Sequence, residues 1–212
     1  MILANQQLRL DNMFQIKKLG LINYDAALEY QKRLVSLKHN GLNDDFFLLL
    51  EHNHIFTMGK GANRNNILDK NIAVTITNRG GDVTYHGPGQ LIGYIIMDLK
   101  SKNTDIHQYI RKIEDLIIEV LEELDINAHR NTGFTGVWVE DRKIASIGIG
   151  VKKSITMHGF ALNVNSDLLQ FSRINPCGLN SKVITSIKEL KGSSIFFEEV
   201  ENLFIKKFAD IF

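Results

Sequence analysis

Hydrophobic positions along the chain follow two rhythms. From Tyr24 to Lys38, the residues Tyr24, Ala27, Leu28, Leu34 and Val35 return to one face at helical spacing, and the other face is charged. Gly41 can supply the left-handed residue that stops this helix. After Thr104 or Asp105 as N-cap, Ile106, Tyr109, Ile110, Ile113, Leu116, Ile117, Val120, Leu121 and Leu124 recur at steps of three and four, which predicts a second helix. A third, from Phe197 to Phe212, places Val200, Phe204, Phe208 and Ile211 on one stripe. Between the helices, strand signals fill Phe46–Glu51, Ala73–Thr77, Leu91–Leu99, Gly136–Val139, Ile144–Val151 and Gly159–Val164. Glu140, Asp141 and Arg142 separate two of these runs by a spacing short enough for a hairpin, so that Lys143 opens a strand.

Strands here follow strands without an intervening helix, which favours antiparallel pairing over a doubly wound parallel sheet. The expected class is α+β, with a mixed, mostly antiparallel sheet, flanking helices and glycine-rich turns at the rim. No internal repeat and no long Pro/Gly/Ser-rich stretch is visible, so residues 1–212 read as a single domain.

Composition narrows this further. The 212 residues are 44% hydrophobic, enough for a buried core, and their formal net charge is +1, which excludes the whole-chain electrostatics of a general nucleic-acid binder. The one cysteine cannot form an internal disulfide, and the start of the chain does not read as a signal peptide, so a cytoplasmic location is expected. The apolar runs are too short for a membrane span, which needs about 20 residues as a helix.

Cys177 lies between Pro176, which fixes its own φ, and Gly178, which permits tight turning. A stiff exposed corner suits a nucleophile, provided a nearby base or cation favours the thiolate; an inert buried thiol fits the same residues. The run Arg79-Gly80-Gly81-Asp82-Val83-Thr84-Tyr85-His86-Gly87-Pro88-Gly89-Gln90 packs four glycines into twelve positions. Such glycines expose backbone amides to a ligand, Arg79 could bind a carboxylate or phosphate, and His86 could relay a proton. A plain hairpin with a Gly-Pro-Gly turn accounts for the run as well. Lys143 opening a strand is either a solvated lysine or, if it points into an enclosed site, a base with a lowered pKa that could form a dyad with Cys177. His52 and His54 have the spacing for one strand face, but a third metal ligand is missing, and no metal site is expected. His158 could equally satisfy a core hydrogen bond or line a pocket. No phosphate loop is present, and Gly148-Ile149-Gly150 lacks the third glycine of a dinucleotide site.

Three separated segments then combine: Arg79 to Gln90, Gly136 to Gly148, and His158-Gly159-Phe160-Ala161-Leu162-Asn163-Val164-Asn165 leading to Arg173-Ile174-Asn175-Pro176-Cys177-Gly178. Their order and spacing resemble the lipoyl(octanoyl) transferases, octanoyl-[acyl-carrier-protein]:protein N-octanoyltransferases of the biotin/lipoate-protein ligase-like superfamily. The resemblance covers roughly residues 45 to 190. It implies a fold like the catalytic domains of biotin and lipoate-protein ligases, and transfer of an octanoyl group from octanoyl-acyl carrier protein to a specific lysine of lipoyl domains, the first step of protein lipoylation. The implied acceptors are lipoyl domains of 2-oxoacid dehydrogenase complexes and the glycine cleavage H protein; no cofactor, nucleic acid or membrane is implied. By the same resemblance Cys177 carries the acyl thioester and Lys143 is its acid-base partner. Substrate contacts fall on Arg79, Gly80, Gly81, Asp82, Val83, Thr84, Tyr85 and His86, on Ser146, Ile147 and Gly148, and on Gly159, Phe160 and Ala161.

The chain departs from that pattern where Glu51-His52-Asn53-His54 replaces a glutamate, a histidine and two prolines, and where Asp82 replaces a common glutamine. Ping-pong kinetics are expected. Val83, Tyr85 and Phe160 are candidate walls of an apolar acyl pocket, and Arg142, Lys152, Lys153 and Lys182 a candidate basic patch for an acidic carrier. Two other readings share these residues: an ATP-dependent lipoate-protein ligase of the same fold, and a non-catalytic module that binds lipoyl domains with Cys177 in its core.

Overall fold

The computed structural model describes residues 7–10 and 14–212. In chain order its elements are β1 (Gln7–Leu10), β2 (Phe14–Ile22), α1 (Tyr24–His39), β3 (Asp45–His52), β4 (Ile55–Met58), β5 (Val74–Ile76), β6 (Val83–His86), β7 (Gln90–Ile96), α2 (Ile106–Glu122), β8 (His129–Asn131), β9 (Phe134–Val139), β10 (Arg142–Lys152), β11 (Ile155–Asn163), α3 (Ile187–Lys191) and α4 (Phe197–Ile211). Short 3₁₀ turns at Arg64–Asn66, Leu168–Arg173, Pro176–Gly178 and Ser181–Val183 join them.

The larger sheet has the order β1-β2-β3-β7-β11-β10-β9-β8 and is antiparallel except where β2 lies parallel to β3. Its central strands are covered on both faces, which is why β3 and β7 read as nearly continuous apolar runs instead of alternating ones. On one face, α2 and α4 pack over Phe47, Leu91, Phe160 and Leu162; Phe208 stacks on Phe47 at 4.2 Å and Phe204 on Phe160 at 4.9 Å. On the other, α1 lays Ala27, Leu34 and Val35 against Leu48, Leu50 and Ile92. Asp105 is the cap chosen for α2, its Oδ1 accepting from the N–H groups of His107 and Gln108 at 2.8 and 2.9 Å. Asn40 caps α1, and Gly41 beyond it takes φ +97°.

A three-stranded sheet, β5-β4-β6, stands beside the α1 face with its own cluster of Phe56, Val83, Tyr85, Phe171, Ile174 and Ile184. The plain hairpin that is the alternative reading of Arg79–Gln90 is not formed. β6 belongs to the small sheet and β7 to the large one, so Gly87-Pro88-Gly89 carries the chain between sheets. The loop is held by Glu51, whose Oε2 accepts from the Gly89 N–H at 2.6 Å, and by the Gly89 carbonyl, which accepts from Val164 and Asn165. The turn between β9 and β10 is as expected, with Glu140 in the left-handed region and Arg142 already paired to Val139. Among the described residues no helix is long and apolar enough to cross a membrane.

Candidate functional site

The small sheet and the large sheet face each other across a narrow cleft of about 460 Å³, its open mouth included. Strand alternation decides what β6 contributes. Thr84 and His86 look into the cleft, while Val83 and Tyr85 point the opposite way, into the cluster with Phe56 and Phe171. Of the three expected walls, only Phe160 therefore lines the cleft; Val83 and Tyr85 support β6 from behind, and Tyr85 donates or accepts at His54 Nδ1 over 2.6 Å. Ser146, Ile147 and Gly148 of β10 and Gly159, Phe160 and Ala161 of β11 form the adjoining wall, with Tyr24 and Tyr94 completing it. The sequence places Tyr24 only on the apolar face of α1 and does not single out Tyr94 as a site residue, although each is a polar tip inside an otherwise apolar periodic run, which is the signal they offered.

Arg79 and Gly81 also reach the cleft. Arg79 is buried, and its guanidinium does structural work: Nη1 donates to the Gly80 carbonyl at 2.9 Å, and Nη2 to the Thr57 carbonyl and Oγ1 and to the Asp82 carbonyl at 2.9, 3.0 and 2.9 Å. One side chain thus sets the shape of the Gly80-Gly81-Asp82 turn and ties it to β4. Gly80 closes the turn from the other side, its N–H donating to the Ile149 carbonyl at 2.8 Å. Asp82 turns its carboxylate away from the cleft. It accepts from the Val83 and Asn63 N–H groups and from Asn66 Nδ2, and the Asn66 carbonyl in turn accepts from the Asn175 N–H at 2.7 Å, at the entry to the Pro176–Gly178 turn.

His86 ends a chain of side-chain amides. Asn163 Nδ2 donates to the Thr185 carbonyl, which leaves its Oδ1 to accept from Gln90 Nε2 at 2.9 Å; Gln90 Oε1 must then accept from His86 Nδ1 at 2.8 Å. The imidazole therefore carries its proton on Nδ1. Burial pushes its pKa down to about 3, helped by the nearby His52 and Arg79, so the ring is neutral and Nε2 is an acceptor. Burial likewise holds His52 and His158 near 4, with Arg79 adding to the effect on His158, and raises Tyr94 well above its ordinary value. His158 sits at φ +60°, which takes its N–H off the ladder; Gln31 Oε1 of α1 accepts it at 2.7 Å, and the ring Nε2 meets Asn78 Oδ1 at 2.7 Å. His52 ends β3 and spends both nitrogens on the Ile22 carbonyl and the Tyr94 hydroxyl, whereas His54 lies beyond the strand, so the two do not share a strand face.

Lys143 is buried, not solvated. The β9–β10 register shifts between Lys143 and Ala145, and this bulge lets Ile144 and Ala145 both serve the helix-covered core while Lys143 keeps the face it shares with its partner Trp138. Its Nζ stands 5.9 Å from the Trp138 ring centroid. The Lys143 carbonyl accepts from the Thr185 N–H at 3.0 Å, and Lys143 bridges Ile184, so the segment that follows the Pro176–Gly178 turn is docked on this residue. That turn packs against β6, and its Gly178 and Leu179 N–H groups return to the Asn175 and Pro176 carbonyls. The Cys177 side chain lies outside the described part of the structure. The four cations expected to form one patch are divided: Arg142 starts β10 beside Glu189, at 3.4 Å, and Lys182 lies near that end, but Lys152 and Lys153 sit at the other end of the strand, about 30 Å away at strand rise.

The family model of the lipoyl protein ligase A/B catalytic domain matches residues 23–209. The octanoyltransferase of Geotalea uraniireducens (strain Rf4) is 48% identical over 183 residues, covering 86% of each chain. Among solved structures, lipoate-protein ligase A bound with ATP superposes with TM-score 0.77 at 16% identity, over 95% of this chain and 85% of the other. The bi-partite lipoate protein ligase of Thermoplasma acidophilum, described with its E2 lipoyl domain, superposes with TM-score 0.72 at 15% identity, over 96% and 84%. With the fold shared by the ligases and the sequence by the transferases, the chain belongs to the lipoyl protein ligase A/B catalytic domain family, in its octanoyltransferase branch.

Proposed function

We propose that this octanoyltransferase works through a covalent thioester on Cys177 with Lys143 as proton carrier, taking the octanoyl group from an acyl carrier protein and giving it to a lysine of a lipoyl domain. The observation that carries this reading is the docking of the cysteine segment between two anchors. Asn175 is tied to Asn66 just before the Pro176–Gly178 turn, and Ile184 and Thr185 are tied to Lys143 just after it.

In the first half-reaction the Cys177 thiolate attacks the donor thioester carbon; a new C–S bond forms, the carrier sulfur departs, and Lys143 returns to it the proton taken from Cys177. In the second, the acceptor amine attacks the enzyme thioester, a C–N bond forms, the amine proton passes to Lys143, and Cys177 leaves as thiolate. Exchange between thioesters is nearly neutral and amide formation is downhill. The cleft beside β10 and β11 takes the acyl chain, whose burial contributes about 0.8 kcal/mol per methylene. Neutral His86 faces this cleft from β6 and adds no charge to oppose an apolar chain.

The test is intact-mass measurement after mixing with octanoyl carrier in the absence of a lipoyl domain. The wild-type chain gains one octanoyl group, which a lipoyl domain then discharges; Cys177→Ala gains none, and Lys143→Ala gains it at least about 100-fold more slowly. Acylation of Cys177→Ala at the same residue count, or undiminished transfer by it, would overturn the thioester.

A further inference from the structure

We propose that Glu114, acting through Gly136, is a positioning residue that holds the Lys143 side chain in its working place; the inference rests on the acid-base reading of Lys143. Glu114 sits on the otherwise apolar buried face of α2, among Ile113, Leu116 and Ile117, and its side chain is 1% exposed. A carboxylate there is costly unless paired and hydrogen-bonded. One oxygen, Oε2, accepts from Arg111 Nη1 at 2.7 Å and from Arg130 Nε at 3.0 Å, both reaching in from the surface. The other, Oε1, is aimed at a single backbone group, the Gly136 N–H, at 3.1 Å.

Gly136 is where this anchoring meets the lysine. Its φ of +127° is one that residues with a Cβ rarely adopt, and a Cβ there would stand 2.6 Å from Lys143 Cε, 3.3 Å from Nζ and 2.5 Å from the Ala145 carbonyl oxygen. The end of the lysine therefore runs across the bare backbone of Gly136. A lysine chain has many rotamers to give up, and a proton carrier must lie within about 2.6–3.2 Å of the atom it serves, so a wall that does not move matters more than attraction alone. Glu114 supplies that wall from behind by fixing Gly136 to the rigid helix α2.

A merely structural Glu114 would tie α2 to β9 and nothing more. The two roles separate in the acylation half-reaction of the full chain, followed by rapid-quench intact mass with octanoyl carrier across pH. For Glu114→Ala the maximal acylation rate is expected to fall about 10- to 100-fold with the half-saturating donor concentration within about twofold, and the pH profile to shift. In Glu114→Gln the one remaining oxygen can serve either the two arginine donors or the Gly136 N–H, and the NH2 can serve neither, so its rate should fall between wild type and Glu114→Ala. Glu114→Asp keeps the charge, to which the long, partly exposed arginine side chains can readjust, but draws both oxygens back by one carbon–carbon bond, about 1.5 Å, from the fixed Gly136 N–H, and should behave like Glu114→Ala; it serves where the alanine variant does not fold. Rates and pH profiles of Glu114→Ala or Glu114→Asp equal to wild type overturn the inference. Lys143→Ala separates the two layers: if it acylates at the wild-type rate the acid-base reading itself fails, and if it is slow while Glu114→Asp is fast only the positioning role does.

Discussion

The helix-covered core of the large sheet and the cleft beside the small sheet are built on opposite principles. In the core, Phe47, Phe204 and Phe208 share one apolar cluster with many aliphatic neighbours, and no single atom is indispensable. At the cleft, shape hangs on individual polar atoms: four hydrogen bonds from one guanidinium, two amides relaying to one imidazole, one carboxylate behind one glycine. Packing is redundant because dispersion and hydrophobic terms are many and small, whereas hydrogen bonds are few and directional. Damage to the core should therefore be read in stability and damage to the cleft in rate.

Four measurements can break or sharpen that contrast. Phe204→Ala removes a fully buried ring stacked on Phe160 and should destabilise by about 3–5 kcal/mol in urea unfolding, with transfer per folded molecule nearly unchanged. A large loss of rate in the folded fraction would show that the cleft leans on the core. Arg79→Lys cannot reproduce the forked contacts to Thr57, Gly80 and Asp82. About 1.5–3 kcal/mol of stability is expected to go, together with at least a tenfold loss in kcat/KM. Equal loss of kcat/KM from Phe204→Ala and Arg79→Lys would erase the distinction.

The third is acid sensitivity. His52, His86 and His158 are held near 4, 3 and 4 by burial, against 6.5 for a free imidazole. The unfolded chain binds these protons below pH 6.5 and the folded chain refuses them until about pH 4, so their contribution is complete above 6.5 and is lost as pH falls towards 4. Each group steepens the decline by up to about 1.4 kcal/mol per pH unit. Urea midpoints measured from pH 7.5 to 4.5 should show it, and His52→Gln should flatten the slope; an unchanged slope would mean that its burial is not what resists the proton. The smallest effect expected is at Lys32, whose ion pair with Glu29 is exposed on α1. Lys32→Ala should shift neither stability, beyond about 0.5 kcal/mol, nor rate.

The two regions also differ in how legible they were. The helices α1, α2 and α4 and the strands β3, β7, β10 and β11 could be read because each presents a long periodic or continuous apolar face. β4 and β6 were not separated from their loops, since four-residue strands next to histidines and glycines carry too little pattern. β2 was missed because Lys17, Lys18 and Gly20 interrupt it, though its edge-side position tolerates them. The glycine-rich run was recognised as unusual, but whether it formed a hairpin or crossed between sheets depends on which strands pair, and that is a long-range choice.

By itself the sequence determined the α+β class, the apolar faces, and, through three spaced motifs, the family. Those properties are local or nearly so: periodicity and residue identity at fixed intervals survive without coordinates. Only the tertiary structure decided that Val83 and Tyr85 turn away from the cleft while Thr84 and His86 face it, that a bulge aims Lys143, and that Glu114, far off in the chain on α2, stands behind Gly136. Each of these depends on register and on which surfaces meet, and a shift of one residue in a strand reverses every side chain it carries.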